Sequence, residues 1–204
     1  MLEINLGVEG KVDEYIMLEV FKYLDLPKPT IRPNRTINPH LGGKSVLLSH
    51  LDKWNEASKW SKWVVMLDLD NDSDCPVSYI EQVLPNKQPT MYLRIVVREI
   101  EAWLMADSEN LAKFIGVKQS LIPKEPESII DPKQRLLEIV KKGKKALLDM
   151  IPTPESGRKI GIGYVSRIQE FLTHPTHPWR PEIAQQSAES LMRCIRALSI
   201  IPKT

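Results

Sequence analysis

Four carboxylates within seven residues, Asp68, Asp70, Asp72 and Asp74, form the densest acidic cluster in the chain. Two unit charges about 4 Å apart repel by roughly 4 kcal/mol at an effective dielectric near 20. A folded cluster of this kind therefore calls for a cation, a basic neighbour or a proton. Oxygen-only donors select hard ions such as Mg²⁺, Mn²⁺ or Ca²⁺. The segment opens like an EF-hand loop, but Ser73 stands where that loop needs Gly and Tyr79 where it needs Glu. A solvated acidic turn is the competing reading.

Other charged residues fall where elements should begin or end. Glu9-Gly10 closes the first strand-like segment, and Lys11 follows it. Arg98-Glu99 closes another, where Arg98 can pair with carboxylates or hold a phosphate and Glu99 starts a helix. Gly42-Gly43-Lys44-Ser45 resembles a phosphate loop, but Asn38 occupies the position where a Walker A motif needs its first Gly. Lys44, Arg32 and Arg35 keep a looser role, gripping a backbone phosphate. Arg158-Lys159 precedes Gly161-Ile162-Gly163-Tyr164, whose backbone N–H groups could meet a phosphate, with Arg167 one turn into the helix. Lys141-Lys142-Gly143-Lys144-Lys145 reads as a solvated helix face. His174 and His177 sit among prolines and lack the further ligands that zinc requires.

The elements that must position these residues alternate. Leu2, Ile4, Leu6 and Val8 give a period-two strand, and the stripe from Val12 to Leu24 gives a helix ending before Pro27. Residues 27–44 read as a loop, and Ser45 to about Ser61 as a helix. Trp63 to Leu69 is nearly continuous apolar sequence, the pattern of a strand covered on both faces. A short helix over 77–84, a strand over 91–97 and a helix over 99–115 follow. Later helices are expected over 132–150, 163–173 and 182–199. Strand and helix alternating in this way predict an α/β fold with a mostly parallel sheet. The proline-rich shift after Val117 divides the chain into a core over 1–116 and a helical C-terminal addition over 117–204.

The composition excludes several classes. Apolar residues make up 42% and charged residues 26%, which is ordinary for a globular chain. No run reaches the roughly 18 apolar residues of a membrane helix. Met1 to Asn5 lacks the n- and h-regions of a signal peptide. Cys75 and Cys194 make no disulfide framework, so a cytoplasmic location is expected. Residues 1–102 carry 12 basic and 15 acidic side chains, and residues 103–204 carry 16 and 11. An acidic cluster in one half and a basic excess in the other suit a metal site beside a polyanion surface. Ordinary surface charge is the alternative.

Glu9-Gly10 followed much later by Asp68-Leu69-Asp70 resembles the signature of the Toprim domain. Val8-Glu9-Gly10-Lys11, Asp68 to Cys75, Val97-Arg98-Glu99-Ile100-Glu101-Ala102-Trp103-Leu104 and Ser190 to Leu198 resemble a bacterial Toprim-like family that accompanies AAA or ABC-type ATPases. The resemblance implies a Toprim-like parallel sheet flanked by helices and a Mg²⁺ or Mn²⁺ site on Glu9, Asp68 and Asp70. Asp72 and Glu99 add further candidate carboxylates. It implies phosphodiester cleavage of DNA or RNA, with Lys11 and Arg98 offsetting charge in the transition state. An ATPase partner in phage defence, and possible homo-oligomers, come with that family. A non-catalytic subunit that binds an ATPase, and a small phosphatase, are the alternative functions. Neither a strand-cleaving tyrosine region nor a primase zinc module accompanies the motifs, which argues against topoisomerase and primase roles.

Overall fold

The computed structural model describes residues 3–33 and 42–203. The chain packs as two compact units, residues 1–97 with 192–204, and residues 98–191. The boundary expected after residue 116 lies inside the second unit. The division falls instead where the last strand hands over to Arg98, and again within the final helix.

The first unit holds a four-stranded, all-parallel sheet. β1 (Ile4–Gly7), β2 (Thr30–Arg32), β3 (Lys62–Asp68) and β4 (Met91–Val96) lie in the order β2-β1-β3-β4. The register pairs Gly7 with both Arg32 and Val65, and Asp68 with Val96. Central β3 is buried from Trp63 to Leu67, as its unbroken apolar run requires of a strand covered on both faces. β2 falls inside the segment expected to be loop. Its three residues are too few to show alternation, and Pro29 and Pro33 flank it. Proline is tolerated there because β2 is an edge strand.

Three helices connect the strands: α1 (Lys11–Tyr23), α2 (Lys44–Ala57) and α3 (Pro76–Val83). Leu47, Leu51 and Trp54 of α2 and Tyr79 of α3 share one core cluster with Trp63, Val65, Leu67, Leu93 and Ile95. These β3 positions are the odd-numbered ones, which point to one side of the pleat. α1 buries Ile16, Met17, Val20 and Phe21.

The second unit is helical: α4 (Glu101–Ala106), α5 (Ser108–Ile115), α6 (Pro132–Val140), α7 (Tyr164–Leu172), α8 (Pro181–Ala184) and the start of α9 (Glu189–Leu198). The single helix expected over 99–115 breaks at Asp107. Its carboxylate accepts the Asn110 N–H at the start of α5 and receives Arg180 at 2.7 and 3.0 Å. The helix expected over 132–150 stops at Val140, and a 3₁₀ segment, Lys145–Met150, follows Gly143. The helix expected over 182–199 is likewise divided into α8 and α9. Trp103 is fully buried, and its indole N–H donates to Ser190 Oγ at 2.7 Å. Among the described residues no helix is long and apolar enough to cross a membrane.

Candidate functional site

In open α/β sheets, ligands bind beyond the carboxyl ends of the strands, where successive connections leave in opposite directions. Here β1 is followed in sequence by β2 on one side, while β3 lies on its other side, so that crevice opens between β1 and β3. Glu9 and Asp68 stand at its rim. The Asp68 backbone N–H donates to Glu9 Oε1 at 3.0 Å, closing a 59-residue separation. Asp70 follows in a left-handed backbone conformation, φ 51°, which Asp tolerates better than most side chains.

A cation is already built into the rim. Gly43 takes φ 83°, which favours glycine, and its N–H donates to the Glu9 carbonyl at 2.8 Å. That contact fixes the start of α2 beside β1 and delivers Lys44 across the acidic loop. Lys44 Nζ lies 2.9 Å from Asp70 Oδ2, 2.7 Å from Asp72 Oδ2 and 3.4 Å from the Leu69 carbonyl. It also sits 5.2 Å from the centre of the Tyr79 ring, and the Tyr79 hydroxyl donates to Asp72 Oδ2 at 3.1 Å.

The electrostatics follow from this packing. Burial pushes the Glu9 carboxyl up to about 7. The Asp68 N–H and the Lys44 charge oppose that rise, while Asp13 and Asp70 add to it. Burial works against the Lys44 ammonium, yet its hydrogen bonds to Asp72 and Asp70 hold its pKa above the usual lysine value. The Lys44 hydrogen bond lowers the Asp72 carboxyl. Burial raises the Tyr79 phenol.

Among the described residues, no group of three or more His, Cys, Asp or Glu side chains is placed to hold a metal ion. The donors nevertheless suit a hard divalent cation in kind. Those of Glu9, Asp68, Asp70 and Asp72 are all carboxylate oxygens, and an ammonium already sits between two of them.

The remaining sequence candidates are spread through both units. Lys11 pairs with Glu14 at 2.9 Å. Arg32 Nε donates to Asn5 Oδ1 at 3.1 Å and so ties β2 to β1. Arg35 lies outside the described residues. Arg98 opens the second unit with φ 62°. Glu99 is held within that unit by Lys133, whose Nζ and backbone N–H each reach it at 2.9 Å.

Arg158 and Lys159 are exposed. In the glycine-rich turn after them, the N–H groups of Gly161 and Gly163 are bonded within the chain. Gly161 N–H donates to the Met150 carbonyl at 2.8 Å and Gly163 N–H to the Asp149 carbonyl at 2.9 Å. A Cβ on Gly161 would stand 2.2 Å from the Asp149 carbonyl, so glycine serves close chain packing here. Arg167 is likewise committed, to Asp149 at 3.1 Å and Glu170 at 2.8 Å. The charge asymmetry between halves also dissolves in the fold. Arg193, Arg196 and Lys203 belong to the first unit, and each unit carries 14 basic and 13 acidic residues.

Sequence reasoning missed three buried or clamping groups, Asp13, Tyr79 and Glu101. Asp13, 7% exposed, lies one helical turn past Glu9, a spacing that could have flagged it. Tyr79 was read only as a failed EF-hand position. Glu101, 1% exposed, receives the Tyr164 hydroxyl at 2.6 Å and lies 3.6 Å from Lys133 Nζ. Nothing in the spacing of Glu101, Lys133 and Tyr164 announces that group. Compared with known proteins, the chain matches no family model, no curated protein and no solved structure.

Proposed function

We propose that this chain is a Toprim-like nuclease that cleaves phosphodiester bonds with Mg²⁺ or Mn²⁺, as an effector partnered with an AAA or ABC-type ATPase in bacterial defence. The observation that supports it is the meeting of Glu9 with the Asp68–Asp72 loop at the crevice between β1 and β3. Glu9, Asp68 and Asp70 would hold the ion, with Asp72 beside them. A divalent ion there supplies an activated water and offsets charge on the leaving oxygen. The chain's own part is positional. The Asp68 N–H orients the Glu9 carboxylate, and Asp70, in its left-handed turn just past β3, has its carboxylate held by Lys44. Lys11, on the first turn of α1, would face the charge that develops on the phosphate.

The test is thermal unfolding with and without Mn²⁺, alongside cleavage of plasmid DNA and of single-stranded RNA. An ion at 100 times its Kd stabilises by about 2.7 kcal/mol, a rise of about 5–10 °C for a chain of this size. Asp68→Asn and Asp70→Asn should each remove most of that rise and all metal-dependent cleavage. A Mn²⁺ response unchanged in both variants refutes the site. The Lys44 clamp on Asp70 and Asp72 favours a second reading, a non-catalytic subunit that binds an ATPase. That reading requires intact nucleic acid under every metal and partner condition. Hydrolysis of a chromogenic phosphate ester without polymer cleavage would favour a phosphatase.

A further inference from the structure

A lysine ammonium has three hydrogens to donate. At Lys44 three acceptors surround it: Asp70 Oδ2 at 2.9 Å, Asp72 Oδ2 at 2.7 Å and the Leu69 carbonyl at 3.4 Å. None is left for a phosphate, so the role expected from the sequence does not suit this geometry. The burial is inverted relative to an ordinary surface pair. The Lys44 side chain is 16% exposed, while Asp70 and Asp72 are 42% and 48% exposed. The cation is the inner member and the carboxylates are the outer ones. Its backbone cannot retreat easily, because Gly43 N–H is tied to the Glu9 carbonyl at 2.8 Å. Tyr79 backs the arrangement, with its ring 5.2 Å from Nζ and its hydroxyl on Asp72.

We infer that Lys44 is a built-in counter-cation, which a divalent ion must displace from Asp70 and Asp72, so that Lys44 sets the metal affinity of the site. The inference rests on the metal-site reading proposed above. It makes Lys44 a positioning residue that keeps the acidic loop folded while no ion is bound. Without it, two carboxylates within reach of one ammonium would repel at close range. The ion exchange is a side-chain movement only: Nζ leaves two carboxylate oxygens and the incoming ion takes them.

The experiment is calorimetric titration of the whole chain with Ca²⁺ alone, with folding of each variant checked by circular dichroism. Lys44→Met should bind Ca²⁺ at least about tenfold more tightly than the parent, since a like charge has left the site. Lys44→Arg, which keeps the charge, should bind like the parent. Asp70→Asn should lose binding in either background. A readout on the parent guards against a misfolded variant: the ¹⁵N signal of the Lys44 ammonium should shift in step with Ca²⁺ saturation. Equal Ca²⁺ affinity in the parent and Lys44→Met, with a static ammonium signal, overturns the counter-cation while leaving the metal site standing. No Ca²⁺ or Mn²⁺ binding in the parent or in Lys44→Met overturns the metal reading and this inference with it.

Discussion

Glu101 offers a quantitative test of the second unit. Its carboxyl is 1% exposed, and burial pushes its pKa up to about 7 from the ordinary 4.5. Lys133 and the Tyr164 hydroxyl pull it down, and Glu99 pushes it further up, but desolvation wins. The folded chain therefore holds this proton more tightly than the unfolded chain. Below pH 4.5 both states are protonated and the neutral carboxyl contributes its full stabilisation. Between pH 4.5 and 7 only the folded state keeps the proton, and stability falls by about 1.4 kcal/mol per pH unit. Above pH 7 the loss is complete, at about 3 kcal/mol. Glu101→Gln keeps an oxygen for the Tyr164 hydroxyl and cannot ionise. The variant should match the parent near pH 4.5 and exceed it by about 3 kcal/mol at pH 8, or about 6–12 °C in Tm. Urea unfolding of both proteins across pH 4.5–8.5 measures this. Glu9 and Glu127, whose carboxyls are also raised, contribute equally to both proteins and cancel in the difference. A difference curve that stays flat, or a variant less stable at pH 8, refutes the account of Glu101.

Arg180→Ala should cost about 3–5 kcal/mol, because it strands the Asp107 carboxylate, whose side chain is fully buried, without its two-pronged partner. Urea unfolding measures that loss, and a change under 1 kcal/mol would mean water replaces the arginine. Gly161→Ala should lower Tm by several degrees, since the new Cβ meets the Asp149 carbonyl at 2.2 Å and backbone must shift. Ser190→Ala should cost about 1–3 kcal/mol, because the Trp103 indole N–H and the Glu127 carboxylate both lose a partner. A shift in tryptophan fluorescence should accompany it.

The alternating order of strands and helices was legible because each signal was local. β3 needed only its own apolar run, and α1 only its stripe and the proline beyond it. The breaks were less legible because their causes lie far off in sequence. Asp107 interrupts the helix expected over 99–115 in part because Arg180 receives its carboxylate, 73 residues away. The cue that was present, Asp-Ser-Glu-Asn over 107–110, is an ordinary helix-start signature inside a segment whose apolar spacing looked continuous. β2 was hidden for the opposite reason. Three residues between prolines carry no period at all, and only pairing with β1 makes them a strand.

Charge was the least legible property, and the reason is physical. A side chain's charge acts through its nearest partners within a few ångströms, whereas a count along the chain averages over segments that the fold separates. Residues 103–204 looked basic, yet three of their cations belong to the first unit, and Arg167 is spent on Asp149 and Glu170. Lys44 stood in an apparent phosphate loop, and its ammonium instead neutralises two of the four clustered aspartates. The acidic run was correctly a place where repulsion must be relieved. What relieves it in the folded chain is a lysine 26 residues from Asp70, delivered by a glycine whose N–H donates to the backbone carbonyl of Glu9. On the metal-site reading proposed above, a divalent ion would have to compete with the Lys44 ammonium for the same carboxylate oxygens.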